Sequence, residues 1–103
     1  MKEYDYFDNT LIFEGEYING ERNGKGKGCD YGGLKFEGEY LNGKRNGKGK
    51  EYYGNGKLRF EGEFLNGERN GKGKEYDYYS QLIFEGEYRY GKRNGKGELR
   101  LWR

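Results

Sequence analysis

The sequence is built from one short unit that occurs four times in tandem. The pentapeptide Phe-Glu-Gly-Glu-Tyr recurs, once with Phe in the final position, at residues 13–17, 36–40, 60–64 and 84–88. A second block, Asn-Gly-(Glu/Lys)-Arg-Asn-Gly-Lys-Gly, starts at residues 19, 42, 66 and 90, where Tyr90 replaces the first Asn. Both blocks advance by 23, 24 and 24 residues. Such a period is typical of stacked repeat architectures, in which each unit contacts its neighbours.

The repeats predict a single domain over residues 1–103. A half unit at 2–10 is followed by four units, at 11–33, 34–57, 58–81 and 82–103. The half unit is recognised because residues 2–6 copy residues 74–78. We expect no linker and no second domain.

Composition limits how these units can become stable. Only 31% of the residues are hydrophobic and 37% are charged, a balance typical of disordered chains. Two features oppose disorder: aromatic residues reach 18%, and the net charge is only +2. Because the chain cannot bury a large core, its stability must come from contacts between neighbouring units.

The spacing of apolar residues predicts an all-β fold. Gly makes up 21 of the 103 residues, and each interior Gly costs a helix about 1 kcal/mol. The apolar positions have a period of two, as in Leu34, Phe36 and Tyr40, which indicates strands. We predict a single-layer, elongated, curved antiparallel β-meander of about nine strands, at 2–6, 11–17, 24–30, 34–40, 47–53, 58–64, 71–77, 82–88 and 95–102.

Charge and turn residues predict the register of this meander. If Glu37 faces Lys50 and Glu39 faces Lys48, opposite charges meet across the ladder and residues 41–46 form a loop. In the next hairpin, a two-residue type I′ turn at Asn55-Gly56 gives an agreeing register, with the pairs 50–61, 49–62, 48–63 and 47–64. The remaining connections are predicted as a two-residue turn at 79–80 and three-residue turns at 31–33 and 7–9, with Asn9 in the left-handed conformation.

The predicted register gives the sheet two different faces. One face is a ladder of alternating Glu and Lys. The other carries the aromatic side chains beside a row of glycines, at residues 15, 26, 38, 49, 62, 73, 86 and 97. A row without Cβ atoms allows a sheet to bend and allows rings to lie over the backbone. We therefore expect the aromatic face to be concave.

No catalytic or cofactor site is predicted. The sequence has no His and a single cysteine, Cys29, which excludes nucleophile–His pairs and metal sites built on His and Cys. Residues 20–26 resemble a phosphate-binding loop, but the glycine spacing is one residue short and Gly follows the Lys. We expect a protein that is not an enzyme and binds no cofactor. Its predicted location is cytoplasmic, with peripheral attachment at a membrane or the cytoskeleton as the alternative.

The units resemble the MORN repeat family. Its pattern, roughly Tyr-x-Gly-x-Trp-x-x-Gly-x-x-x-Gly-x-Gly, maps onto residues 36–49, with Phe36 as the first aromatic residue and Tyr40 in place of Trp. The other three units match in the same way. The resemblance implies an elongated, curved β-meander that acts in scaffolding, protein–protein contacts, homodimerisation or phospholipid association.

The leading functional hypothesis is a protein-interaction scaffold. Aromatic side chains dominate binding hot spots, so we expect an unidentified protein partner to contact Phe13, Tyr17, Phe36, Tyr40, Phe60, Phe64, Phe84 and Tyr88. The edge strands expose unpaired backbone, and the C-terminal strand carries few charges. We therefore expect any homodimer to form through Leu99, Leu101 and Trp102, or through the aromatic face.

The alternative hypothesis is peripheral binding to anionic phospholipid. Two of the predicted loops are basic, and their candidate contacts are Lys44, Arg45, Lys92 and Arg93. Nucleic-acid binding is disfavoured because acidic residues such as Glu51 and Glu75 lie beside the aromatic face and would repel phosphates.

Overall fold

The computed structural model describes residues 1–30 and 33–99, which form one open sheet of antiparallel strands in sequence order. The strands are β1 (Lys2–Tyr4), β2 (Leu11–Ile18), β3 (Glu21–Asp30), β4 (Gly33–Leu41), β5 (Lys44–Tyr52), β6 (Leu58–Leu65), β7 (Glu68–Tyr76), β8 (Leu82–Arg89) and β9 (Lys92–Leu99). The predicted nine-stranded single-layer meander is therefore confirmed, and it measures 43 × 26 × 17 Å. Within those residues, no helix is long and apolar enough to cross a membrane.

The row of glycines crosses the sheet as predicted. Gly15 of β2 lies opposite Gly26 of β3, Gly26 lies opposite Gly38 of β4, and the pairing continues without a break to Gly86 and Gly97. A bare strip of backbone thus runs along the middle of the sheet, perpendicular to the strands.

Aromatic rings cover this strip on one face and form the core. Phe13, Phe36 and Phe60 are completely buried. A Cβ atom on Gly38 would lie 2.9 Å from Cζ of Phe36, so the ring occupies the space that a side chain there would need. Edge-to-face contacts join successive units, with ring centroids 5.1 Å apart for Phe13–Tyr40 and 5.0 Å for Phe60–Tyr88. The core is therefore a single file of rings on one face.

The turns that follow each pentapeptide are shorter than predicted. Residues 41–46 do not form a loop, because β4 runs to Leu41 and β5 starts at Lys44. Asn42 and Gly43 make a two-residue turn in which φ is positive at both residues, 50° and 85°. Asn-Gly is the preferred pair for such a turn because both residues tolerate the left-handed region. The same turn closes the other three units, at residues 19–20, 66–67 and 90–91.

A bulge reconciles this tight turn with the glycine row. Glu37 faces Lys50 as predicted, but Tyr40 pairs with Arg45, and the predicted pair of Glu39 with Lys48 is absent from this hairpin. Three residues of β5 therefore oppose one residue of β4. The extra length is absorbed at Gly47, whose φ is 99°. The pairing of Glu63 with Lys48 on the other side of β5 matches the prediction.

The other hairpins keep the predicted register with a different turn. The loop between β5 and β6 is 54–56, closed by a 2.9 Å hydrogen bond from the Tyr53 amide to the Lys57 carbonyl, and it ends on Gly56 at φ 86°. The predicted two-residue turn at 55–56 is wrong, and a bulge beside Tyr52 restores the pairs expected deeper in the sheet.

Of the remaining predictions for the connections, one is wrong, one is confirmed and one falls largely outside the described residues. The predicted turn at 79–80 is a loop over 78–80 that ends on Ser80 at φ 69°. Asn9 is left-handed at φ 60°, as predicted. The turn predicted at 31–33 falls largely outside the described residues.

Adding one methyl group in the glycine row should test this packing. A Cβ on Gly38 would lie 2.6 Å from the Cα of Gly49 and 2.6 Å from the carbonyl oxygen of Lys48, and backbone cannot move aside cheaply. We expect Gly38→Ala to lower the free energy of unfolding by about 2 kcal/mol or more. Chemical denaturation of the variant and the wild type measures the difference.

Gly54 provides the matched control. A Cβ there would meet nothing within 4 Å, and its φ is not in the left-handed region. Gly54→Ala should be neutral or stabilise the protein by up to about 1 kcal/mol, since it restricts the unfolded chain. Equal losses of stability at both positions would contradict the proposed packing.

Candidate interaction surfaces

The aromatic face does not offer the contact surface that the sequence predicted. Seven of the eight rings expected to bind a partner are buried, and the eighth, Tyr17, is partly buried against them. They are the core of the protein, so the prediction that they anchor a partner is wrong. The physical reason is that the first ring of each pentapeptide lies between the glycine row beneath it and an arginine above it, and the second ring packs against these first rings.

Each unit places one arginine over its own phenylalanine. The guanidinium carbon of Arg22 lies 4.2 Å from the centroid of Phe13, and that of Arg45 lies 4.1 Å from the centroid of Phe36. The corresponding pairs of the third and fourth units have distances of 4.2 and 4.6 Å. A guanidinium group in this position gains cation–π attraction and shields the ring from water. The arginines therefore act as a second layer over the single sheet.

Carboxylates hold these arginines in place. Glu3 accepts two hydrogen bonds from Arg22, at 2.9 and 3.0 Å. Glu51 accepts a 2.8 Å bond from Nε of Arg69, and Glu75 accepts bonds of 2.8 and 3.1 Å from Arg93. In all three pairs, the carboxylate comes from the unit before the arginine. The ion pairs thus join consecutive units.

Two of the four predicted lipid contacts also make contacts within the protein. Arg45 stacks on Phe36 and pairs with Glu51 at 3.4 Å, and Arg93 stacks on Phe84 and pairs with Glu75. These guanidinium groups cover rings of the core, and their contact with lipid stays a prediction. Lys44 and Lys92 are exposed beside their turns.

The concave side of the sheet is the charged face. A groove of about 1030 Å³ crosses β4 to β9 along the glycine row. It is lined by bare glycine backbone and by the acidic and basic side chains Glu37, Lys48, Lys50, Glu61, Glu63, Lys72, Lys74, Glu85 and Glu87. The expectation that the aromatic face is concave is therefore wrong. The stacked rings and arginines occupy that face, and the sheet bends away from them.

Two tyrosines fix carboxylates on this charged face. The hydroxyl of Tyr52 donates a 2.6 Å hydrogen bond to Glu37, and that of Tyr76 donates a 2.8 Å bond to Glu61. Partial burial, together with the carboxylate that accepts each bond, raises the pKa of both tyrosines to about 12. Both hydroxyls therefore remain protonated donors at neutral pH, and they hold one glutamate of each pair in a fixed direction.

The predicted self-association edge is only partly described. β9 ends at Leu99, and Leu101 and Trp102 lie outside the described residues. β1 and β9 are the two edge strands. A homodimer through the C-terminal edge, like the cytoplasmic location, stays a prediction.

Comparison with known proteins identifies the family. The model of the MORN repeat matches residues 13–27, 36–57, 60–78 and 84–101, more than half of the chain. The chain belongs to the MORN repeat family. MORN repeats are a non-catalytic family associated with protein or membrane interaction. No curated protein matches the chain.

Sequence reasoning missed the layer of arginines that covers the MORN core. The signal was present, because every unit places an Arg nine residues after the first Phe of the pentapeptide, at 22, 45, 69 and 93. We interpreted these arginines as loop residues because the turns were predicted too long. With the two-residue turn, each arginine returns to the aromatic face.

The ion pairs of this layer should make stability depend on pH. Partial burial disfavours the charged form of Glu75, but hydrogen bonds from Arg93 and Tyr88 and the charges of Arg93 and Arg69 outweigh it, so the pKa of Glu75 is lowered. A lowered pKa in the folded state adds stability above the usual pKa of glutamate, and this stability is lost as the pH falls through the folded value. Glu75→Gln should thus cost about 1 kcal/mol or more at pH 7 and less at pH 3.

Urea denaturation at both pH values, with Glu68→Gln as the control, measures this difference. Glu68 is an exposed carboxylate beside the third two-residue turn. Its replacement should change stability by less than about 0.5 kcal/mol at either pH. A cost of Glu75→Gln that is the same at pH 3 and pH 7 would contradict the assigned ion pair.

Proposed function

We propose that this chain is a non-catalytic scaffold that binds an extended segment of a protein partner in the groove of its charged face. The observation that carries the proposal is the groove itself, which is open, continuous over six strands and floored by glycine backbone. Membership of a non-catalytic interaction family supports the same role. The aromatic face supports it indirectly, because its rings are already used in the core.

The charges in the groove define the kind of segment that would fit. Glu37 of β4 and glutamate pairs on β6 and β8 alternate with lysine pairs on β5 and β7. Neighbouring strands are about 4.8 Å apart, so charges of one sign recur about every 10 Å, and an extended chain covers that distance in about three residues. We expect a partner segment in which acidic and basic residues alternate with this spacing. The glutamate rows disfavour nucleic acid, whose phosphates they would repel.

Selection from a random peptide display library, followed by NMR mapping, tests the groove. Selected peptides should be enriched in alternating charges and should shift backbone amides of β5 to β7. We expect Lys50→Gln/Lys74→Gln to weaken their binding by at least about tenfold, because each change removes an opposite charge from the groove. Both lysines line the groove.

Lys57→Gln is the control, since Lys57 is exposed at the far end of the β5–β6 hairpin and does not line the groove. It should leave peptide affinity within about twofold of the wild type. A library that yields no binders, or binders that map to another surface, would reject the proposal.

One observation favours a second candidate, peripheral binding to an anionic membrane. Exposed apolar side chains sit at the two-residue turns: Ile18, Leu41, Leu65 and Tyr90. Lys44 lies directly across its turn from Leu41, and Lys92 lies across from Arg89. An edge that combines apolar tips with basic residues can insert shallowly while attracting anionic headgroups.

Co-sedimentation with liposomes tests this edge. Binding should require anionic lipid, fall as salt rises and decrease severalfold in Lys44→Ser/Lys92→Ser. Lys25→Ser/Lys48→Ser, which removes two exposed lysines from the charged face, is the matched control and should bind as the wild type does. Binding to neutral liposomes, or equal losses in the two double variants, would exclude the turn edge as the contact.

A further inference from the structure

Glu3, Glu51 and Glu75 form a series of glutamates that each bind an arginine of the following unit. The first full unit has no glutamate at the corresponding position. Glu51 lies opposite Phe60, and Glu75 lies opposite Phe84, each facing the first aromatic residue of the following unit. The residue that lies opposite Phe36 in the same way is Gly28. The sheet register therefore identifies Gly28 as the position where the repeat would carry a carboxylate.

The fourth unit shows what the missing carboxylate would do. Glu75 binds Nε and Nη2 of Arg93 and also accepts a short hydrogen bond from the hydroxyl of Tyr88. In the same way, Glu51 of the second unit binds Nε of Arg69 in the third unit. In each case a glutamate from one unit satisfies the arginine of the next.

The corresponding donors beside Gly28 are Tyr40 and Arg45. Nη1 of Arg45 instead lies 3.4 Å from a carboxylate oxygen of Glu51 in its own unit. The same carboxylate already accepts the shorter bond from Arg69. Within residues 1–30 and 33–99, the aromatic face thus holds four stacked arginines, at 22, 45, 69 and 93, against three carboxylates of this series, at 3, 51 and 75. Arg45 is the arginine whose preceding unit supplies no carboxylate.

A cavity of about 430 Å³ lies where the glutamate would be. Gly28 and Tyr40 line it, together with four basic residues, Arg22, Lys35, Lys44 and Arg45, and no acidic side chain of the described residues lines it. Three of these cations have carboxylate partners elsewhere, since Arg22 binds Glu3, Lys35 lies 3.9 Å from Asp30, and Arg45 lies 3.4 Å from Glu51. The lining itself is nevertheless basic, and it includes Arg45.

The hydroxyl of Tyr40 faces this space. A Cβ atom on Gly28 would lie 3.3 Å from the Tyr40 hydroxyl oxygen, the counterpart of the hydroxyl that binds Glu75 in the fourth unit. Burial raises the pKa of Tyr40 against the opposing charges of Arg45 and Arg22, so the hydroxyl is a proton donor at neutral pH. A donor hydroxyl and a guanidinium group therefore converge on one empty position.

We propose that the cavity beside Gly28 is a carboxylate-binding site in which an external carboxylate replaces the missing glutamate. The ligand would accept hydrogen bonds from the guanidinium of Arg45 and the hydroxyl of Tyr40. A planar carboxylate matches the fork of an arginine, as Glu75 already shows with Arg93. The ligand is either an Asp or Glu side chain of another polypeptide or a free small carboxylate. The site is independent of the groove, because it lies on the opposite face.

NMR titration of the full chain with sodium acetate tests the site, with sodium chloride of equal ionic strength as the reference. Acetate should shift the amides of Gly28 and Tyr40 and the Nε–H signal of Arg45, in a saturable manner. Gly28→Glu should abolish this response, because the new side chain supplies an internal carboxylate. The geometry permits that side chain, since Tyr88 and Glu75 coexist in the same arrangement.

Two further variants keep the test valid if Gly28→Glu folds poorly. Arg45→Gln should weaken acetate binding by at least about tenfold, since it removes the charged donor. Arg93→Gln, its counterpart with the carboxylate in place and with no shared partner, should leave acetate binding within about twofold of the wild type. A shift that does not saturate, or that survives in both Gly28→Glu and Arg45→Gln, would overturn the proposal.

A blocked peptide, acetyl-Gly-Glu-Gly-amide, and its Gln analogue distinguish the two sources of the ligand. Tighter binding of the Glu peptide than of acetate would support a polypeptide carboxylate, and equal or weaker binding would support a free one. The Gln analogue should not bind. Inorganic phosphate that produces the same shifts with equal affinity would overturn the assignment to carboxylates, since it would indicate a general anion site.

Discussion

The packing of aromatic rings directly onto glycine backbone is the constraint on which the rest of this structure depends. A single sheet has no second layer to cover its apolar face, so the chain must build one from its own side chains. Removing the Cβ atoms from one row allows Phe36 and its counterparts to lie flat over the strands and become fully buried. The arginine above each ring then completes a layer of rings and guanidinium groups. Rings and ion pairs both reach into the next unit, which makes the stack continuous.

This solution decides which surfaces are left for function. Rings that close the core cannot also serve as anchors for a partner, and the arginines above them are held by carboxylates. Layered side chains also make the aromatic face the thicker one. The opposite face is thinner, and there the glycine row leaves a groove between charged side chains. The position of the open surface thus follows from the way in which the core is covered.

Several features could be predicted from sequence because they depend on residues directly opposite each other. The unbroken glycine row and the pair of Glu37 with Lys50 follow from period-two spacing and charge. Turn length could not be obtained in the same way, because a bulge at Gly47 lets a two-residue turn coexist with the same central register. The direction of curvature could not be predicted from the sequence either. It depends on Arg45 and its counterparts returning over the rings, which the longer predicted loops had excluded.

Positions that depart from the repeat are informative because the regular positions are satisfied internally. Where a unit carries Glu51 or Glu75, the neighbouring arginine finds its carboxylate within the chain, and little binding capacity remains. At Gly28 the donors Tyr40 and Arg45 are present, but the position opposite Phe36 supplies no carboxylate to them. Packing does not require a glycine at position 28. Gly28 lies opposite Phe36, and Glu51 occupies the same position opposite Phe60. Gly28 therefore leaves one carboxylate position of the repeat without a side chain, and this is the arrangement that a binding site for an external carboxylate requires.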